Sequence, residues 1–355
     1  MKQSKHFSKK LAALVAGGLF SLSFASASAA ETRSLALSES VELALENNRS
    51  IKSSVTDVDA ADWAYHEARR TAGPKLTLST QGNRVGGKAY KMYDHDYAFR
   101  SSAALSFPLY TGGSIERGIE AARYGVNNAD LALEGTKQAV RYQTTGQYFK
   151  ALEYRNLIKV GEMSVANLKS HLANVNAQYK VGTVARSDVL ASQVSLANAE
   201  QSLVNVTNNY DVAIAELNKI IGLPTGTKLS LADELAYRKY DLSLEDCTEY
   251  ALAHRADGIA ADYAARQANA AMEATRGASL PQVSAAASRT VGGDSLFSNN
   301  TDSADTWSIG IQANWAAFDN NVTQAQVNRK RAAVHKLQQA AEDTREQIAL
   351  DVQTA

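Results

Sequence analysis

Phe99-Arg-Ser-Ser-Ala-Ala-Leu-Ser-Phe-Pro-Leu109 and Trp307-Ser-Ile-Gly-Ile-Gln-Ala-Asn-Trp-Ala-Ala317 stand 208 residues apart in a chain of 355. In the first, Phe99, Ala103, Leu105, Phe107 and Leu109 share one parity against Arg100, Ser102, Ala104 and Ser106. In the second, Trp307, Ile309, Ile311, Ala313 and Trp315 oppose Ser308, Gly310, Gln312 and Asn314. Period-two alternation gives a strand one apolar face and one small, polar face. A shorter alternating stretch precedes each: Leu76 and Leu78 against Thr77, Ser79 and Gln81, then Val283, Ala285 and Ala287 against Gln282, Ser284 and Ser288. The expected strands are 75–84, 98–109, 282–291 and 306–317.

An antiparallel sheet over a soluble core would alternate in the same way. Three details favour a membrane barrel: spans near the 9 to 11 residues such strands need, aromatics toward the strand ends, and loops rich in Gly, Asp, Asn and Ser at Arg84 to Asp96 and Gly292 to Asp305. The lipid-facing set is then Phe99, Leu105, Phe107, Leu109, Trp307, Ile309, Ile311 and Trp315. Four strands cannot close, because the smallest outer-membrane barrels need about eight and an open edge in lipid leaves backbone groups unpaired. Three copies pooling their strands would give twelve.

The strands belong to a longer duplication. Leu35, Leu37, Glu39, Glu42, Ala44, Leu45 and Pro74 recur as Leu242, Leu244, Asp246, Glu249, Ala251, Leu252 and Pro281 at a spacing of 207. One residue of drift follows, after which Phe107-Pro-Leu-Tyr110 with Gly112-Gly113 answers Trp315-Ala-Ala-Phe318 with Asn320-Asn321. A unit this long is a duplicated domain half rather than a solenoid repeat of roughly 20 to 50 residues. Leu37 to about Ala72 and Ser243 to about Ala278 read as helices whose starts Ser38 and Ser243 can cap, and each stops before its proline.

Between the halves lies a helical hairpin. From Ser114 to Val181 there is no proline, and apolar residues step by fours and threes, as in Ile115, Ile119, Ala122, Val126, Ala129, Leu133 and again in Val165, Leu168, Leu172, Val175, Tyr179. Such steps mark a coiled-coil seam, and at about 1.5 Å per residue the helix would be a rod of roughly 100 Å. Gly182-Thr183 breaks it, and a return helix over 185–221 carries Leu190, Val194, Ala197, Val204, Ile214, Leu217 and Ile221 on its apolar side. Gly222 and Pro224 end that helix, and 223–242 reads as an irregular connection.

Residues 1–30 read as a signal peptide: Lys2, Lys5, Lys9 and Lys10, an apolar run from Leu11 to Phe24, then small residues to Ala30. Without those lysines, 33 basic residues face 37 acidic ones, a balance that does not suit nucleic acid. The single cysteine, Cys247, offers no disulfide framework. No segment after the leader approaches 18 uninterrupted apolar residues, so a membrane would be entered by strands.

Taken together, the helix start Leu37 to Asn48, Pro74 opening a strand, the exit Phe107-Pro-Leu-Tyr-Thr-Gly-Gly113 and the hairpin turn Tyr179-Lys-Val-Gly-Thr-Val-Ala-Arg-Ser-Asp-Val189 resemble the TolC family of outer-membrane efflux channels, from about Leu35 onward. The resemblance implies an α+β membrane protein of two internal structural repeats: a long α-helical coiled-coil barrel crossing the periplasm and a 12-stranded β-barrel shared by a homotrimer, four strands per chain. Its implied partners are a periplasmic adaptor (membrane fusion) protein, an inner-membrane transporter and outer membrane lipid. In that frame 31–222 is the first repeat, 223–242 an equatorial connection and 243–355 the second repeat. Ala355 corresponds to Gln147, so about 74 residues equivalent to 148–221 would be missing from the second repeat; the expectation is a C-terminally truncated fragment.

No catalytic constellation emerges. The six histidines are scattered, and no P-loop, G-x-S-x-G or H-E-x-x-H motif occurs. Asp94-His95-Asp96 could hold a cation or be a solvated turn. No enzyme activity and no cofactor are expected. The functional expectation rests on the hairpin tip, where Gly182, Thr183, Val184, Ala185, Ser187, Asp188 and Val189 would dock an adaptor through small side chains. Any helical hairpin needs a glycine and a cap such as Ser187, so a purely structural turn uses the same residues. The rival reading is a periplasmic coiled-coil adaptor without a barrel, which explains the hairpin but not the paired strands.

Overall fold

The computed structural model describes residues 33–84, 97–237, 239–293 and 305–355. The expected signal peptide, the Asp94-His95-Asp96 segment and most of both long loops lie outside them. The elements are β1 (Arg33–Leu35), α1 (Leu37–Asn47), α2 (Arg49–Arg70), β2 (Lys75–Arg84), β3 (Tyr97–Tyr110), α3 (Ser114–Lys180), α4 (Arg186–Ile221), β4 (Leu229–Leu231), α5 (Leu244–His254), α6 (Ala256–Gly277), β5 (Gln282–Gly293), β6 (Thr306–Asn314) and α7 (Val322–Thr354). The order helix, helix, strand, strand, helix occurs twice.

Each helix expected before a proline is in fact two. Asn48 breaks the first with extended backbone (φ −60°, ψ 129°) while its Oδ1 accepts from the Ser50 amide at 2.8 Å, capping α2. Its Nδ2 donates to Ile220 O at 3.0 Å. Arg255, 207 residues on, breaks the second at φ −72°, ψ 125°. No side chain caps α6; the Arg255 guanidinium instead donates to Asp257 and Asp351. Of the two expected caps, Ser243 accepts from the Asp246 amide at 3.1 Å, whereas Ser38 lies inside α1.

The chain forms two compact units. One is built on Gln147–Lys219 and Leu223–Leu235 with the described residues up to Ser40; the other comprises Val41–Gly146, Ile220–Gly222 and Ala236–Ala355. In the first unit, β1 and β4 form a parallel ladder from Arg33↔Leu229 to Leu35↔Leu231. Three-residue strands carry too little period to be read from sequence. Tyr148 and Leu217 are fully buried here. The Tyr148 hydroxyl lies 3.0 Å from Leu35 O and 2.8 Å from Asp233 Oδ2, so its one proton serves either acceptor. Arg155 donates to the Leu231 and Asp233 carbonyls at 2.7 Å each. These contacts hold β4 against α3.

The hairpin in this unit corrects the expected seam. On α4 a covered row runs Val189, Ser192, Leu196, Ala199, Leu203, Val206, Tyr210, Ala213 and Leu217 in alternating steps of three and four, and toward the helix end Ile214, Leu217 and Ile221 are buried as expected. Leu190, Val194 and Val204, expected on the covered side, are more than half exposed. Leu190, Ala197 and Val204 stand directly after Val189, Leu196 and Leu203, so two apolar residues compete in each of these heptads and only the position of the partner helix decides between them.

In the second unit, α7 buries Val327, Val334, Ala341 and Ile348, one residue every seven. Met272 of α6 clusters with Val327 and Val334, and Gly258 makes room for the Ile348 side chain. Arg345 grips Asp262 through two oxygens at 2.6 and 2.8 Å across the same interface. On its other side α6 receives α3: Ser114 Oγ donates to Ala274 O at 2.7 Å, and Asn128 Nδ2 donates to Gln267 Oε1 at 3.1 Å.

Candidate functional site

The second unit holds one antiparallel sheet in the order β2-β3-β5-β6. Its register puts Leu76 opposite Leu105 and Leu78 opposite Ala103, Leu105 opposite Ala287, and Ala287 opposite Ile309. One face thus runs Leu76, Leu78, Ala103, Leu105, Phe107, Ala285, Ala287, Ile309 and Ile311. The reverse face is small and polar: Ser79 Oγ and Ser102 Oγ are 2.7 Å apart, and Ser288 Oγ and Ser308 Oγ 3.0 Å. Among the described residues of the unit none covers the apolar face. Every residue of β2 and β6 is exposed, with Leu78 at 73%, Trp307 at 75% and Ile309 at 77%. An uncovered apolar surface of this extent marks contact with lipid or protein.

Most of the expected lipid-facing residues lie where the alternation puts them, and two do not. A bulge pairs Pro108 with Ser284 and then Tyr110 with Val283, so Leu109 is the extra residue and Tyr110 takes its place on the ladder. Trp315 is beyond the strand: β6 ends at Asn314, paired with Gln282, because the partner strand starts after Pro281, which has no amide to donate. Its indole nitrogen instead donates to Ser279 O at 3.1 Å. Phe99 is half-buried, its ring lying over Gly82, where a Cβ would come within 2.7 Å of it. The alternation gave no warning of Arg289. It stands on the apolar face opposite Trp307 and is neutralised by Asp305 through two hydrogen bonds of 3.1 and 2.8 Å.

Both strand-to-helix exits use left-handed backbone. Gly112 and Gly113 have φ of 63° and 84°, and Asn320 and Asn321 have 55° and 63°. Asparagine tolerates that region better than other non-glycine residues. Gly112 cannot be replaced in the same way, because a Cβ there would meet Gly277 O at 2.4 Å.

At the hairpin tip α3 stops with Gly182 at φ 81°. The Thr183 amide reaches back to Gln178 O at 3.0 Å and the Gly182 amide to Tyr179 O at 3.0 Å, a pattern that satisfies the last carbonyls of the helix. The Ala185 amide donates to Asp188 Oδ2 at 3.1 Å. Asp188 is therefore the group that closes the start of α4, and Ser187, read as a possible cap, lies inside the first turn. Thr183, Ala185, Ser187 and Asp188 are exposed and Val184 half-exposed, but Val189 is 8% exposed and belongs to the inner seam. A Cβ added to Gly182 would meet no atom within 4 Å, so the tip is open on that side.

Among the described residues no group of three His, Cys, Asp or Glu side chains could hold a metal ion, and no helix is long and apolar enough to cross a membrane. Asp233 is held below the ordinary carboxylate range, first by the Leu37 amide at 2.7 Å and then by the Tyr148 hydroxyl. Tyr148 is pushed up to about 12, chiefly by burial.

A family model described as outer membrane efflux protein matches residues 40–223, more than half of the chain. No curated protein matches it. Solved structures share the fold. The outer membrane channel CmeC of Campylobacter jejuni aligns with a TM-score of 0.71 at 18% identity, over 87% of this chain and 67% of that one. The outer membrane protein VceC of Vibrio cholerae aligns at 0.73 and 14% identity, over 88% and 75%. The open state of the Neisseria gonorrhoeae outer membrane channel MtrE aligns at 0.69 and 18% identity, over 89% and 70%.

Proposed function

The chain belongs to the outer membrane efflux protein family, and on that premise we propose that it is the passive exit duct of a tripartite efflux or type I secretion system. Three copies would close a twelve-strand barrel in the outer membrane and continue it as a helical tunnel in the periplasm. The supporting observation is the sheet: apolar on one face, polar on the other and, among the described residues, with β2 and β6 exposed throughout and unpaired on their outer edges. In hydrocarbon each unpaired backbone group costs several kcal/mol. Pairing β6 of one copy with β2 of the next removes both edges at once. The duct carries out no chemistry; energy comes from a partner pump.

The tip would dock a periplasmic adaptor through Gly182, Thr183, Val184, Ala185, Ser187 and Asp188, whose short side chains leave a groove for a partner's helices, with Val189 supporting them from within. In the outer-membrane fraction the expected species is a heat-modifiable, detergent-requiring trimer that forms channels in planar bilayers. A salt-extractable monomer would overturn this reading in favour of a soluble adaptor. Gly182→Trp or Val184→Trp should abolish export while trimers still assemble, and full export by both variants would remove the docking role.

A further inference from the structure

The polar face of the sheet carries its own charge pattern. Among the described residues it comprises Ser, Thr, Gln, Asn, Ala, Gly and Pro side chains and two charges, Lys75 and Arg100, both positive. No described carboxylate shares that face, since Asp305, the acid nearest in the sheet, has the opposite parity and is held by Arg289. Arg100 sits mid-sheet on β3 between Gln81 of β2 and Gly292 of β5. With a glycine on one side and Ser102 one step down the strand, the exposed guanidinium stands above shorter neighbours. Lys75 is paired with Ser106, six residues along β3 from Arg100, or about 20 Å at roughly 3.3 Å per residue.

We infer that Arg100 is a specificity-determining residue of the duct, making its lumen prefer anions, so that solutes bearing carboxylate, sulfate or phosphate groups pass more readily than cations of equal size. The inference rests on the barrel reading: with the polar face inward, Arg100 repeats as a ring of three positive charges and Lys75 as a second ring. Fixed charges of one sign between low-dielectric walls concentrate counter-ions in the passage. Screening acts over about 10 Å at 0.1 M salt, so the preference grows as ionic strength falls.

The test is the reversal potential of the purified protein in planar bilayers under a KCl gradient at low ionic strength. Wild type should reverse on the chloride-preferring side. Arg100→Gln should move the reversal potential toward potassium, and Arg100→Glu about twice as far, since the charge change is doubled. Arg100→Lys should keep the wild-type value, separating charge from a structural role. Open channels whose reversal potential is the same in wild type, Arg100→Gln and Arg100→Glu would overturn the inference and leave the duct standing. Absence of any channel from wild type would overturn the barrel reading, and this inference with it.

Discussion

Helices α2 and α6 are both 22 residues long, both follow a break at positions 207 apart and both lead into a proline and a strand, yet they are buried differently. Helix α6 buries Ala256, Gly258, Ala270, Met272 and Gly277; α2 buries only Ile51. The difference lies in their neighbours. Helix α6 has α3 on one side and α7 on the other, whereas for α2 the contact is with α3, through Ser54 Oγ and Thr136 Oγ1 at 3.0 Å. Its remaining surface carries Val55 and Trp63, 44% and 65% exposed. On the trimer reading, α7 of the next copy would stand beside α2 as α3 stands beside α6.

The largest effect should come from breaking the closest approach on the α6 side. A Cβ at Gly277 would meet Gly112 O and the Ser114 amide nitrogen at 2.8 Å, both backbone atoms that cannot swing away. Gly277→Val should cost more than about 3 kcal/mol, preventing assembly of a heat-modifiable trimer; normal trimer yield would contradict the packing described. Next, Ile348→Ala, removing a side chain 1% exposed from the α6–α7 seam, should lower the stability of the monomer in denaturant by about 2–4 kcal/mol. Trp63→Ala on α2 should leave that monomer within about 0.5 kcal/mol of wild type while reducing trimer yield. Equal monomer destabilisation by the two variants would erase the distinction between the helices.

A smaller effect distinguishes both helices from the other unit. Because Asp233 titrates below its ordinary value in the folded chain, its contribution is present above about pH 4, the unfolded value, and is lost as pH falls through the lower folded value. Thermal melts should therefore show Asp233→Asn less stable than wild type near neutrality, with the gap narrowing in acid. A gap that stays constant with pH would separate the Leu37 and Tyr148 contacts from the ionised carboxylate.

The strands and the prolines that precede them were legible because alternation and a missing amide act locally. Leu76 to Gln81 and Trp307 to Asn314 lie on the faces their parity assigns. The bulge at Leu109 was not legible, since nothing in that stretch distinguishes a ladder residue from an inserted one. At the tip Gly182 was recognisable from the turn it permits. The cap was misread because Asp188 acts from the third helical position back onto Ala185, a geometry shared by Ser and Asp residues at neighbouring positions. Asn48 could have been found as a break from its capping chemistry, but Arg255 at the equivalent position has no such chemistry.

Periodicity, duplicated spacing, and glycine or asparagine at turns were determined by the sequence alone, because each follows from the backbone preferences of a few adjacent residues. Which of two adjacent apolar residues in the α4 heptads is covered, how β1 finds β4, and why α6 is enclosed and α2 is not were decided only by the tertiary structure. Burial is a property of what stands opposite a residue, and that neighbour comes from another part of the chain or from another chain.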